Sequence, residues 1–200
     1  MNVLTDGPVT CGWWPYRRGE VAETRVRAWL AEAWQLPASD LVMTRDVHGR
    51  PHLDAGQHHA DLNWSHSGAL LLAAWAEGGV RVGVDVELLR PRPRAMALAE
   101  RFFHPDETAW LQAVPDDPAR ELAFTRLWCA KEAVLKAHGR GLSFGLEKLR
   151  FTLDADGTPT LAACDAGLGA PTDWRLRTWV PADGYWATLA WRAGWPGPQG

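Results

Sequence analysis

Two stretches of this chain repeat each other. Leu41, Thr44, Asp46, Gly49, Pro51 and Leu53 recur at the same spacing as Leu149, Thr152, Asp154, Gly157, Pro159 and Leu161, six identities in 13 positions. Further along, Gly68, Ala74, Trp75 and Gly78 recur in the same order as Gly184, Ala190, Trp191 and Gly194. Chance explains one match between hairpins more easily than two in succession, so an internal duplication is the better account. It predicts an α+β fold of two similar lobes related by a pseudo-twofold, each with helices packed on a small, mostly antiparallel sheet. The divide is expected near Leu88–Arg94, giving an N-terminal lobe over 1–90 and a C-terminal lobe over 91–200 that act as one unit. Trp75 and Trp191 are then expected at matching core positions. Residues that break the repeat, such as Arg50 opposite Thr158, become candidates for function.

Periodicity fills in the halves. Met1 to Pro15 reads as irregular. Glu20 to Trp34 has helical spacing and is stopped by Pro37. Leu41–Arg45 and Pro51–Leu53 flank a hairpin-like turn, and 62–65, 69–75 and 80–87 read as strands. Arg90-Pro91-Arg92-Pro93-Arg94 reads as an extended, solvated linker. Helical sequence follows over 95–103, from His104 to about Ala113, and over 121–137, ended by Gly139 and Gly141. Strands are expected at 149–153, 159–162, 174–180 and 185–191, then a loose tail after Arg192.

Composition narrows the class. A chain of 200 residues with 46% apolar and 22% charged residues is ordinary globular sequence. It can bury about 70% of its unfolded surface without disulfide or metal staples. No apolar run reaches membrane-spanning length, no basic-then-apolar leader opens the chain, and Cys11, Cys129 and Cys164 make no CxxC pair; a cytoplasmic protein with reduced thiols is expected. Net charge of −3 argues against a general nucleic-acid binder. The 13 Trp and the ratio of 18 Arg to three Lys fit a GC-rich genome, but the scarcity draws attention to Lys131, Lys136 and Lys148.

The chemistry concentrates in two segments. In Arg81-Val82-Gly83-Val84-Asp85-Val86-Glu87, Asp85 and Glu87 leave one face of a strand while Val82, Val84 and Val86 anchor the other. Two adjacent carboxylates repel, and a hard divalent cation such as Mg²⁺ resolves the repulsion; ordinary surface acids are the competing account. In Trp128-Cys129-Ala130-Lys131-Glu132-Ala133-Val134-Leu135-Lys136, the residues Trp128, Glu132 and Lys136 share one helix face. A Glu–Lys surface pair would explain the last two, but the Trp on the same stripe argues that it faces protein. A metal–phosphate site would then satisfy both charges: Glu132 as a third metal ligand, Lys136 as a point charge for phosphate oxygens.

G-V-D-V-E followed about 40 residues later by W-C-A-K-E-A-V-L-K resembles the paired signature of the 4′-phosphopantetheinyl transferases, in particular their surfactin-synthetase-activating single-chain branch. Cys129 stands where that signature has Ser or Thr. Asn63-Trp64-Ser65-His66-Ser67-Gly68 is similar to the family's N-x-S-H-S segment, Gly49-Arg50-Pro51-His52-Leu53 to its G-[KR]-P-x-[LF] segment, and Arg101-Phe102-Phe103-His104-Pro105-Asp106-Glu107 to its R-F-F-x-x-x-E stretch. The resemblance spans about Leu41 to Leu153. It implies two lobes with the active site between them. It also implies an enzyme that moves the phosphopantetheine arm of coenzyme A onto a serine of an apo acyl or peptidyl carrier protein, releasing adenosine 3′,5′-bisphosphate. By position it implies Asp85, Glu87 and Glu132 as Mg²⁺ ligands and Lys136 at the pyrophosphate. Ser65 and His66 would contact the 3′-phosphate region of coenzyme A, with Arg50 in the same pocket. Glu132 is the candidate base, directly or through a metal-bound water. Arg17, Arg18, Arg25 and Arg27 are the basic residues available before the first hairpin, and nothing in the sequence chooses among them.

Other features read more plainly. His58 and His59 suggest a surface loop, since no Cys or acid lies at ligand spacing. The arginines at 90, 92 and 94 could also attract an acidic carrier. A Mg²⁺-dependent nuclease uses similar ingredients, but the net charge and the lack of a basic–aromatic stripe speak against it. A non-catalytic coenzyme A or carrier-binding module would not require a complete acid set. Two fused lobes point to a monomer.

Overall fold

The computed structural model describes residues 1–54 and 59–194. The first half holds β1 (Asn2–Asp6), β2 (Val9–Pro15), α1 (Ala22–Trp34), β3 (Val42–Arg45), β4 (Pro51–Asp54), β5 (Asp61–Ser67) and β6 (Leu70–Ala76). The rest holds β7 (Val80–Leu88), α2 (Ala95–Phe102), α3 (Pro105–Ala113), α4 (Asp117–His138), β8 (Leu149–Leu153), β9 (Pro159–Cys164), β10 (Arg175–Trp179) and β11 (Tyr185–Ala193). His58 and residues 195–200, which include most of the expected loose tail, lie outside the described residues.

The repeated hairpins are the same object built twice. In β3–β4 the Asp46 side chain accepts from the amides of His48 and Arg50, at 2.8 and 3.0 Å. In β8–β9 Asp154 accepts from Asp156 and Thr158, at 3.0 and 2.8 Å. Gly49 (φ 79°) and Gly157 (φ 75°) take the left-handed position each turn demands. Leu41 and Leu149 are both fully buried at the base.

The larger sheets repeat as well. The first has the order β1-β2-β6-β5 and the second β10-β11-β7, all antiparallel. Their shared pattern, β2-β6-β5 against β7-β11-β10, puts β7 in the second sheet. β7, which precedes the expected divide at Leu88–Arg94, thus belongs to the second sheet, because it hydrogen-bonds along its length to β11. Leu70, Leu72, Val82, Val84, Val86 and Leu189 pack in the core between the sheets. α1 covers the outer face of the first sheet and α4 that of the second.

Glycine marks each covered face. Gly12 on β2 lies opposite Ala73, and a Cβ there would meet the Trp29 ring of α1 at 3.0 Å. Gly83 on β7 lies opposite Ala190, and a Cβ there would run into the α4 backbone at Ala133 and Ala137. Helix and strand approach that closely only without a side chain between them.

Matching these glycines also corrects the second echo. Trp75 packs outward, edge-on to Trp34, while Trp191 packs inward between the sheets. The two are one residue out of register, and a slip of one reverses the face.

Met1–Pro15 is a hairpin rather than irregular chain. Gly7 and Pro8 occupy its turn, and Gly12 is required by α1, so the apparent strand breakers have other duties. α4 begins four residues before the expected Glu121, because Asp116 caps the Ala119 amide at 2.8 Å and Pro118 sits in the first turn, where it blocks no helical bond. Gly139, at φ 105°, ends it.

Candidate active site

Gly83 brings β7 against α4, and strand alternation then points Asp85 and Glu87 to the side where Glu132 and Lys136 leave the helix. Asp85 is 4% exposed. Its Oδ1 accepts from Lys136 Nζ at 2.7 Å and from Ser65 Oγ at 2.8 Å, while its Oδ2 is buried and accepts no hydrogen bond from the described residues. Glu87 Oε2 accepts from Ser67 Oγ at 3.1 Å and pairs with Arg92 at 2.6 Å. Arg92, expected in a solvated linker, is thus tied to the acids, and its amide donates to Glu121. Cys129 donates from its thiol to the Asp85 carbonyl at 3.3 Å, a bond that a hydroxyl could also make.

The charges act on one another. Burial and the neighbouring Asp85 push the Glu87 pKa up, against the pull of Arg92. Burial pushes Glu132 up to about 7; Lys136 pulls it down, while Asp85 and Glu87 push it further up. Burial pulls Lys136 down, but Asp85 and Glu132 outweigh it and hold its pKa above the ordinary lysine range. The cluster has more negative charge than Lys136 and Arg92 balance locally. Its donors are hard carboxylate oxygens, and one of them, Asp85 Oδ2, is buried without a hydrogen-bond partner among the described residues, which fits a hard divalent cation. Among the described residues, no three His, Cys, Asp or Glu side chains stand preassembled as a ligand set.

The remaining expected residues divide. Ser65 is buried, and its hydroxyl also accepts from Lys136 Nζ at 3.1 Å. His66 leaves the opposite face of β5 and stacks on Tyr16 with ring centroids 4.7 Å apart, next in the chain to exposed Arg17 and Arg18. Arg50 is 5% exposed, and its guanidinium is held by Asp61, the Lys136 carbonyl and the Val82 carbonyl. It borders a cleft of about 180 Å³ lined also by Arg45, His48, Trp64, Lys136 and Gly141. The structure therefore joins Asp85, Glu87, Glu132, Lys136 and Ser65, with Arg50 behind them and His66 apart.

Residues 81–190 match the family model described as the 4′-phosphopantetheinyl transferase superfamily. The chain belongs to that superfamily. Among its relatives in the superfamily, it is 34% identical over 153 residues to "4'-phosphopantetheinyl transferase psf-1" of Bacillus pumilus, covering 74% of this chain and 61% of that one. It is 32% identical over 173 residues to "Putative 4'-phosphopantetheinyl transferase slr0495" of Synechocystis, covering 83% and 68%. It is 29% identical to "4'-phosphopantetheinyl transferase Sfp" of Bacillus subtilis, covering 73% and 62%. The match spans about six tenths of the length of the first of these.

Placing the superfamily's motifs on the fold shows what sequence reasoning passed over. Asn63 and Ser67, both in the N-x-S-H-S segment, bond to β7. Asp61, which lies outside those motifs, binds Arg50, Arg81 and the Val82 amide. Its signal was the polar alternation Asp61, Asn63, Ser65, Ser67 along a strand. Lys131 turns away from the acids to a buried pair with Glu107. It thus has no place beside a phosphate, despite standing next to Glu132 in the chain.

Proposed function

We propose that the chain transfers the 4′-phosphopantetheine group of coenzyme A to a serine of an apo acyl or peptidyl carrier protein, releasing adenosine 3′,5′-bisphosphate. The observation that carries this reading is the convergence of Asp85, Glu87, Glu132 and Lys136 where the two halves meet. Asp85, Glu87 and Glu132 would hold Mg²⁺, with Asp85 Oδ2 the oxygen already free to bind it. Bound there, Mg²⁺ supplies charge neutralisation to the pyrophosphate oxygens.

The chain's own groups do the rest. Glu132 takes the proton of the carrier serine as the serine oxygen attacks the β-phosphorus. Lys136 stays protonated and stabilises the departing phosphate of the adenosine bisphosphate. The cleft beside Lys136 offers Arg45, His48 and the Trp64 ring to the nucleotide end of coenzyme A. Arg50 contributes positive potential there from behind, while His66 stands apart, stacked on Tyr16. The two halves form one working unit, since each supplies groups to the cluster. No described helix is long and apolar enough to cross a membrane. The reading is of a monomer acting in the cytoplasm on a protein substrate, with no part for nucleic acid.

The test is direct. The protein is incubated with coenzyme A, Mg²⁺ and apo carrier proteins from fatty acid, polyketide and peptide assembly, and each carrier is weighed by mass spectrometry. A gain of one phosphopantetheine on at least one carrier is expected. No gain on any of them would overturn the reading.

A further inference from the structure

β5 and β7 run side by side in the same direction, yet they belong to different sheets. Side chains join them at a constant offset. Asp61 accepts from the amide of Val82 at 2.7 Å, Asn63 from Val84 at 3.0 Å and Ser67 from Leu88 at 3.1 Å, each 21 positions on. The serines add a second row. Ser65 donates to the Asp85 carboxylate and Ser67 to the Glu87 carboxylate, each 20 positions on. One strand of the first half thus places one hydroxyl on each acid of β7.

Coenzyme A contact is what the motif suggests for Ser65, but its geometry assigns another task. Ser65 is buried, donates to Asp85 Oδ1 and accepts from Lys136 Nζ, so both its proton and a lone pair are in use. These bonds fix Asp85 through Oδ1, and Oδ2, itself buried, is left without a hydrogen-bond partner among the described residues. Ser67 likewise holds Glu87 Oε2 and at the same time satisfies the Leu88 amide. Short hydroxyls suit this work, since they orient a carboxylate without neutralising it.

We infer that Ser65 and Ser67 are positioning residues that aim the two strand carboxylates for cation binding, so that the first half of the chain sets the metal affinity of the second. This rests on the metal reading given under Proposed function.

The experiment measures divalent cation binding directly, by titrating Mn²⁺ into metal-free protein and following free Mn²⁺ by electron paramagnetic resonance. Coenzyme A binding is measured separately by calorimetry in EDTA. The Ser65→Ala, Ser67→Ala double variant is expected to bind Mn²⁺ at least tenfold more weakly, with metal-free coenzyme A binding within twofold of native. Ser65→Thr with Ser67→Thr, which keeps both hydroxyls, is expected to recover most of the Mn²⁺ affinity. Thermal melts confirm folding, and Ser67→Ala alone, at the half-buried end of the row, gives the same reading at smaller amplitude if the double variant does not fold. Unchanged Mn²⁺ affinity with weakened coenzyme A binding would overturn the inference and return Ser65 to the coenzyme A pocket. A native protein that binds no Mn²⁺ would overturn the metal reading, and this inference with it.

Discussion

Lys131 Nζ lies 2.6 Å from Glu107 Oε2, and both side chains are essentially out of solvent. The pair is closed on every side. Lys131 also donates to the Leu146 carbonyl at 2.9 Å, and Glu107 accepts from the Phe151 and His104 amides at 2.7 and 3.0 Å. It fastens α4 to α3 and β8 directly behind Glu132. Lys131→Met alone leaves a buried carboxylate uncompensated and should cost about 3–5 kcal/mol in urea melts. Adding Glu107→Leu should recover a large part of that loss. A double variant less stable than Lys131→Met would show that the pair does more than balance charge.

Glu132→Gln removes the candidate base and one candidate metal ligand while keeping the side chain's size. Transfer to carrier should fall at least a thousandfold by mass spectrometry, with circular dichroism unchanged. Near-normal turnover would take the base role away from Glu132.

The same residue gives a pH signature. Glu132 titrates near 7 in the fold against an ordinary 4.5, so the native chain keeps a proton that the unfolded chain has already released. Its contribution to stability therefore declines as pH rises across that window. In metal-free thermal melts, the Tm advantage of Glu132→Gln over native should grow from pH 4.5 to 7 and level off above. A difference constant in pH would show that Glu132 is not held protonated.

Gly83→Ala and Gly12→Ala probe the two close approaches. At Gly83 the added carbon meets helix backbone, which cannot give way, so a loss of about 3 kcal/mol or more is expected together with loss of transfer. At Gly12 it meets the Trp29 ring, which can tilt, so about 1 kcal/mol is expected, with activity retained. Equal losses in denaturant melts would mean that the two halves are packed alike.

Arg50→Ala frees two buried carbonyls, those of Lys136 and Val82, and weakens the Asp61 cluster, although Arg81 still pairs with Asp61 at 3.1 Å. A stability loss of about 3 kcal/mol is expected in urea melts. Weaker coenzyme A binding should accompany it, because the cleft wall moves with the hairpin. Unaltered stability would mean that the guanidinium serves the ligand alone.

The acid strand, the Glu132–Lys136 face and the repeated hairpins were legible because each depends on spacing within one element. Alternation puts Asp85 and Glu87 together, and a helical turn aligns Glu132 with Lys136. What was not legible depends on neighbours distant in sequence. Nothing local in Ser65 says that its hydroxyl meets an acid 20 positions on. Helical spacing separates Lys131 from the Glu132–Lys136 face, but only the packing of α3 and β8 buries it against Glu107. The pairing of β7 with β11, across a chain separation of about a hundred residues, is likewise invisible in a single sequence. The slip between Trp75 and Trp191 has the same origin, since one residue more or less in a turn leaves letters aligned and faces reversed.

A backbone ladder is indifferent to sequence: any residue but proline can continue it. The join between β5 and β7 is different, because there the bonds come from Asp61, Asn63, Ser65 and Ser67, each of which one codon can change. After a duplication, two halves held by such a join can drift in how tightly and at what angle they meet while both sheets stay whole. In the second unit, Asp85 and Glu87 face the helix-covered side of the strand beyond Gly83; in the first, the positions beyond Gly12 are Trp14 and Tyr16. The first unit thus places aromatic packing where the second carries charge, and the join between them can change its angle without disturbing either sheet.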